Sequence, residues 1–395
     1  MCKYGVRGLF MAAPLLCLIA APGQAQLQTQ DNAIMPLELP VGQAVFTLGG
    51  TVSGAGFWNG KTVDGTGVAQ GLAALTRSYD SGLSISGHLT GSLADPLARG
   101  RYDGGVWEKA YGEVKTGLGA FRMGMTDGGA ALLPVGSPRA EDDVSLSDPR
   151  IFLFRDPANG KPVAKIFALT TQVGTSTNAA KLIYQSPNLF GVELALSFAP
   201  GEGKDVLPFL RAGPHVPGRE ADIWEASARY SFAWDDANVS LYAALAEGRA
   251  EHKLPGQEGV SDIGAGARVD YPVNDDVTVS LGGSWRQSNA YAFDIHNAWR
   301  AATTNAYELG AGVSWGAWLA SAQYGGGIAG AVTAAGLPHM DMEGTELALA
   351  RTITPNLKLT IGWQRFDYAR AAGTFYNGSP RLLMDAGFVH FKFHV

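Results

Sequence analysis

The chain ends on a run that changes character at every residue. Val389, Phe391, Phe393 and Val395 are apolar, while His390, Lys392 and His394 between them are charged or polar. As a β-strand this run shows grease on one face and water-compatible groups on the other. A terminal strand of this kind fits a transmembrane barrel. The same two-faced pattern recurs along the chain, and an export signal opens it. Together these features imply an all-β fold: an antiparallel β-barrel inserted in the outer membrane of a bacterium, with a polar lumen.

The export signal is read from the first residues. Lys3 and Arg7 precede the apolar run Leu9 to Ala21, and Gly23-Gln24-Ala25 supplies the small residues of a signal-peptidase site. Residues 1–25 are therefore expected to be a signal peptide and residues 26–395 the barrel. No later segment offers the 18 or so consecutive apolar residues of a membrane helix. Both cysteines, Cys2 and Cys17, leave with the signal, so the mature chain has no disulfide or thiolate chemistry. Loss of Lys3 and Arg7 moves the formal charge from −6 to about −8, which makes nucleic acid an improbable partner. The hydrophobic fraction of 46% resembles that of a soluble protein, as expected when only alternate strand residues meet lipid. The 52 glycines are about twice the usual share; small residues in strands leave lumen space and allow bends.

Alternation gives the architecture. Val192, Leu194, Leu196 and Phe198 alternate with Glu193, Ala195 and Ser197; Trp224 to Phe232, Ile263 to Tyr271, Val277 to Trp285, Tyr307 to Trp315 and Leu357 to Trp363 follow the same rule. Trp and Tyr recur near strand ends, where a membrane interface favours them. Short turns, such as Thr116 to Gly119 and Pro272 to Asp276, alternate with long polar links, which is the plan of an outer-membrane barrel. The count is about sixteen strands, wide enough for a water-filled channel. One link, Asp127 to Thr177, is far longer than the rest and follows the fifth apparent strand. Loops of that length tend to be functional.

Two hairpins resemble a known family. Tyr111-Gly112-Glu113-Val114-Lys115 with Gly119-Ala120-Phe121-Arg122-Met123-Gly124, and Tyr184-Gln185-Ser186-Pro187-Asn188-Leu189-Phe190-Gly191, are similar to signature hairpins of the general porins of Gram-negative bacteria. The aromatic C-terminal strand adds a third likeness. The resemblance implies a homotrimer of sixteen-stranded barrels in outer-membrane lipid and lipopolysaccharide, delivered there by the barrel-assembly machinery. It implies passive diffusion of small hydrophilic solutes and ions, selected by size and charge where the third loop folds inward to form a constriction. The chain departs from the family in two places. Residues 127–177 contain no Pro-Glu-Phe-Gly-Gly tip, and the last residue is Val395 rather than Phe.

Strand parity places Arg122, Lys181, Arg229, Arg268, Arg286, Lys358 and Lys392 in the lumen, with Arg77 joining them from a strand that alternates poorly. A charge facing lipid near the midplane costs about 2–4 kcal/mol, so inward placement is favoured. The resemblance assigns Arg77, Arg122 and Lys181 to the constriction wall, opposite the loop acids Glu141, Asp142, Asp143, Asp148 and Asp156. Arg229, Arg268, Arg286, Lys358 and Lys392 are left as lumen lining. Plain solvation of the lumen accounts for each of these residues as well as a selectivity role does. Ion preference stays open, since the acidic net charge and the basic wall point in opposite directions.

Two other functions compete. A barrel enzyme would need a nucleophile activated by a positioned His. His88, His215, His252, His296, His339, His390 and His394 sit in no such motif, and no spacing suits zinc. A substrate-specific channel for sugars or anions would need an aromatic slide or a continuous basic row, and neither is clear from parity. No cofactor is expected. Glu141, Asp142 and Asp143 could offer oxygen ligands to Ca²⁺, although adjacent acids are more often simply solvated.

Overall fold

The computed structural model describes residues 37–58, 63–94, 107–141, 144–146, 169–176, 179–201, 220–250, 259–289, 303–330, 339–374 and 378–394. The signal-peptide assignment, residues 1–25, lies outside the described residues, as do Asp142, Asp143, Asp148, Asp156 and Val395.

The strands are β1 (Leu37–Val41), β2 (Ala44–Trp58), β3 (Val63–Ser78), β4 (Ser84–Ala94), β5 (Trp107–Thr116), β6 (Gly119–Met125), β7 (Ala180–Gln185), β8 (Val192–Gly201), β9 (Glu220–Trp234), β10 (Ala237–Ala250), β11 (Ser261–Pro272), β12 (Val277–Ser288), β13 (Thr304–Trp315), β14 (Trp318–Ala329), β15 (Met340–Thr354), β16 (Leu357–Arg370) and β17 (Arg381–His394). Each pairs antiparallel with the next, and β17 returns to β2 through pairs running from Gly387↔Trp58 to His394↔Thr51. Strands β2 to β17 thus form a closed sixteen-stranded barrel, as the alternation implies. Closure leaves no unpaired edge in lipid. The short β1 lies on the same edge of β2, pairing Leu37↔Leu48 through Val41↔Ala44. β17 and β1 therefore share one barrel position, one above the other along β2.

The two faces separate as the sequence period requires. On β17, Val389, Phe391 and Phe393 are exposed on the outer wall, while Phe388 and His390 are buried inside. On β9, Trp224 is 61% exposed and its neighbour Glu225 only 2%. Leu241, Ile263, Leu281, Leu309, Leu347 and Ile361 extend the outward apolar band around the barrel. Such a band far exceeds what a protein in water tolerates, and it is what a bilayer accepts. Aromatic pairs mark the short-turn end: Trp315 stacks on Trp318 at 6.3 Å and 11°, and Arg351 lies 4.9 Å above the Trp318 ring. One outward glycine is filled by a neighbour: the Phe391 ring lies against Gly54 across the closing seam.

The lumen departs from the uniformly polar one expected. Phe57, Met340, Met342, Phe366, Tyr368, Leu382, Ala386 and Phe388 form a buried apolar cluster on the inner wall of β2, β15, β16 and β17. Ala140, Val144, Leu146 and Leu169 of the long loop cover it. These wall residues face inward because the loop, rather than water, is their neighbour; burial under it removes their apolar surface from the lumen.

Candidate functional site

The long link after β6 turns into the barrel and crosses its inner wall as two limbs. The outgoing limb steps from strand to strand. The Gly129 amide donates to Ser197 Oγ on β8 (2.8 Å), and the Gly129 carbonyl accepts from Ser227 Oγ on β9 (2.6 Å). The Ala130 carbonyl accepts from the Tyr242 hydroxyl on β10 (2.7 Å). Further on, Gln323 Nε2 of β14 donates to Ser137 Oγ (2.8 Å), and the Ala140 amide donates to Ser321 Oγ (2.9 Å). The limb ends at Glu141. Its Oε2 accepts from Thr360 Oγ1 at 3.2 Å and lies 3.8 Å from Lys358 Nζ, both on β16, and 3.1 Å from His390 Nδ1 on β17.

The returning limb runs the other way. Leu169 lies against the inner wall at β14 and β15, and Thr171 Oγ1 is 2.7 Å from Ser284 Oγ of β12. Thr175 Oγ1 donates to Asp262 Oδ2 of β11 (2.9 Å), and the Ser176 amide donates to Glu225 Oε1 of β9 (2.7 Å). Backbone groups of an irregular segment must find partners when taken from water, and the wall hydroxyls and carboxylates supply them.

Both limbs lie in a track floored by glycine. A Cβ built at Gly266 of β11 would overlap the carbonyl oxygen of Val135. At Gly282 it would stand 2.6 Å from the Gly136 oxygen, and at Gly310 2.8 Å from Ser137 Cβ. At Gly264 it would meet Val173 Cγ2 at 2.9 Å, and at Gly325 Leu169 Cδ1 at 3.0 Å. At Gly344 it would come within 3.1 Å of Leu146. Any side chain at the tightest of these positions would force the limb away from the wall, so part of the glycine excess serves the approach of one backbone to another.

Among the described residues the limbs touch β7 to β17 and the inner face of β2, but meet β3 to β6 only at the loop's root, where Lys109 Nζ lies 2.5 Å from Asp127 Oδ2. The inner face of β4 to β6 carries Ser86, His88, Tyr111, Glu113 and Arg122. His88 and Tyr111 stack with centroids 4.7 Å apart at 14°, and Arg122 Nε lies 2.6 Å from Glu113 Oε2.

The residues singled out from sequence fall in different places. Arg77 is a correction. It pairs with Ile85, which pairs with Val114, which pairs with Phe121, and all three partners are exposed on the outer wall. Residues directly opposite in a ladder share a face, so Arg77 points outward at a strand end, where its guanidinium lies 4.8 Å from the Tyr79 ring and donates to Gln43. Arg122 faces the lumen. Lys181 does too, but at the loop's root, fully buried and donating to Ser176 Oγ at 2.6 Å. Glu141 therefore meets Lys358 and His390 of the last two strands, not the early-strand cations expected opposite it. Lys358 and Lys392, directly opposite one another, lie beside this contact.

Parity named the wall cations and missed their partners. Arg229 Nε donates to Glu193 Oε2 (2.9 Å), Arg268 Nε to Asp270 Oδ1 (2.8 Å) and Arg286 Nη2 to Asp262 Oδ2 (2.6 Å). The polarity is reversed on β13, where Arg139 of the loop donates to Glu308 at 2.5 Å. No group of His, Cys, Asp or Glu among the described residues could hold a metal ion.

A closed barrel with a long segment packed along its inner wall has the form of a channel with a narrowed bore. Residues 12–373 match the model of the Gram-negative porin family. The chain belongs to that family. This porin is an outer-membrane channel for solutes. A sequence search of curated proteins finds no match. Solved structures agree on the fold. The anion-selective porin from Comamonas acidovorans aligns over 89% of this chain and all of its own, with TM-score 0.57 and 14% identity. The outer-membrane channel DcaP of Acinetobacter baumannii aligns over 89% and 97%, with TM-score 0.56 and 12% identity. The trimer form of OmpT, an outer-membrane protein of Vibrio cholerae, aligns over 89% and 99%, with TM-score 0.54 and 10% identity.

Proposed function

We propose that the porin is a general diffusion channel for small hydrophilic solutes and ions, not a barrel enzyme, and that solutes pass between the inward loop and the wall of β3 to β6. The observation that carries this reading is the placement of the loop, whose described limbs lie along β8 through β17 and, among the described residues, meet β3 to β6 only at the loop's root. Selection is by size in that gap. Charge selection is weak, because Arg122, Arg229, Arg268 and Arg286 each face a carboxylate within hydrogen-bonding reach. The first 25 residues act as the export signal.

The channel assembles as a homotrimer through the outer face of β2 to β5. Between Leu48, Leu75 and Leu89 this face carries Gly56, Gly71 and Gly87, with nothing within 4 Å of where a Cβ would stand. Flat, small-residue faces let backbones approach closely in lipid, where van der Waals packing drives association.

Conductance of the detergent-extracted protein in a planar lipid bilayer tests the reading. It predicts ohmic steps arriving in threes and a reversal potential close to zero in a salt gradient. An inserted barrel that passes no current would contradict it.

A further inference from the structure

We propose that the inner wall of β4 to β6 holds a subsite for zwitterionic solutes carrying a flat ring, the aromatic α-amino acids being the class it fits; this rests on the path assigned above. Strand β5 presents Lys109, Tyr111 and Glu113 to the lumen in succession. Lys109 lies opposite Thr90, Tyr111 opposite His88 and Gly124, and Glu113 opposite Ser86 and Arg122. Three rungs result: the Lys109 and Asp127 ion pair, the stacked Tyr111 and His88 rings, and the Glu113 and Arg122 ion pair. Ser86 Oγ is 2.8 Å from His88 Nε2, which fixes the imidazole against the phenol. The place facing Tyr111 on β6 is held by Gly124, at φ +133°, where a Cβ would overlap the Ala110 carbonyl oxygen. The position directly facing the phenol on β6 therefore carries no side chain, and Lys181 is the next residue along the same rung. Tyr111 lies within electrostatic reach of Arg122, Glu113 and Asp127.

The two ion pairs point in opposite directions. In the upper pair β5 supplies the cation; in the lower it supplies the anion. A solute with one net charge must compete with a partner already in place and leaves the other member unpaired. A zwitterion can set its carboxylate against Arg122 and its ammonium against Glu113 without stranding either. The two residues keep 20% and 17% of their side-chain surface exposed, so solutes can reach them. Rungs two residues apart on a strand are separated by about 6.6 Å. An aromatic amino acid holds its ring roughly 5 Å from its charged groups by covalent geometry, so the ring falls on Tyr111 when the charges sit on the lower pair. Ring stacking then adds to the charge match.

Single-channel recording of the full-length mature protein tests this, with tryptophan as probe and indole-3-propionate, tryptamine and alanine as comparators. The expected result is a concentration-dependent interruption of current by tryptophan, with dwell times longer than those of all three comparators. Tyr111→Ala should shorten the dwell by about two- to tenfold, and Tyr111→Phe should retain it. The proposal is overturned if indole-3-propionate or tryptamine matches tryptophan, or if Tyr111→Ala leaves the dwell unchanged in channels seen to conduct. A conducting wild-type channel without interruptions would remove the subsite and leave the diffusion channel standing. Absence of conductance would instead remove the channel reading itself.

Discussion

The carboxylate of Glu141, at the far end of the outgoing limb, lies 3.1 Å from Nδ1 of His390 on β17, and both side chains are buried. With Lys358 at 3.8 Å and Thr360 donating, this contact ties the loop to the seam where the two ends of the chain meet. Removing a buried hydrogen-bonding group leaves the groups around it unsatisfied, at a cost of about 1–3 kcal/mol. Glu141→Ala is therefore expected to free the end of the limb while leaving the barrel closed. Open-channel noise should rise well above wild type, with the heat-modifiable gel mobility of a folded barrel retained. Wild-type noise in this variant would show that Glu141 does not anchor the loop.

The glycine track predicts a narrower bore when it is filled. In Gly266→Ala the new methyl meets the Val135 carbonyl, so the limb must move toward the lumen. Overpacking of this kind costs about 1–3 kcal/mol, which a closed barrel can absorb. Conductance should fall in this variant and stay unchanged in Gly117→Ala, whose Cβ position has nothing within 4 Å. Equal conductance in both would separate the track from the bore.

Matched wall charges predict opposite shifts from the two halves of one pair. Glu113→Gln leaves the Arg122 cation without its neutralising partner and should move the reversal potential toward anions. Arg122→Gln should move it toward cations, and the double variant should return close to wild type. Partly exposed pairs are worth up to ~1 kcal/mol, so each single shift in permeability ratio should stay within about fivefold. Shifts of the same sign in both single variants would contradict the pairing.

Association through the small-residue face predicts that bulk placed there separates the subunits. Gly87→Leu should yield a folded monomer by native electrophoresis and light scattering in detergent. Leu281→Ala, on the opposite outward wall, should leave the trimer intact. A trimeric Gly87→Leu would place the contact elsewhere.

The barrel was legible because every residue of a strand reports its face: Val389, Phe391 and Phe393 against His390 and Lys392 need no neighbour to be read. The inward loop was legible from the length of residues 127–177. Arg77 was not, because Gly65, Gly67, Ala69, Gly71 and Ala73 give β3 little contrast between its faces; only the register to Ile85 and Val114 fixes the side on which Arg77 lies. The wall ion pairs were hidden for a similar reason. Arg229 and Glu193 are 36 residues apart and meet only once β8 and β9 are aligned. Glycines in the track carry no side chain to mark their face, so the composition recorded their number without their purpose. The anchoring of Glu141 on β16 and β17 depends on how far around the wall the limb travels, a distance that no local pattern encodes.

The central claim is that water and solutes run along β3 to β6 while the loop seals the wall from β8 to β17. Cysteine accessibility tests it directly, since the two native cysteines, Cys2 and Cys17, both fall in the proposed export signal. Gln70, exposed on the inner face of β3, and Ser321, buried beneath the Ala140 amide, are each replaced by cysteine, and current is followed during addition of a charged methanethiosulfonate. The account predicts a prompt stepwise loss of current in Gln70→Cys and none in Ser321→Cys. Prompt block in Ser321→Cys with none in Gln70→Cys would contradict it.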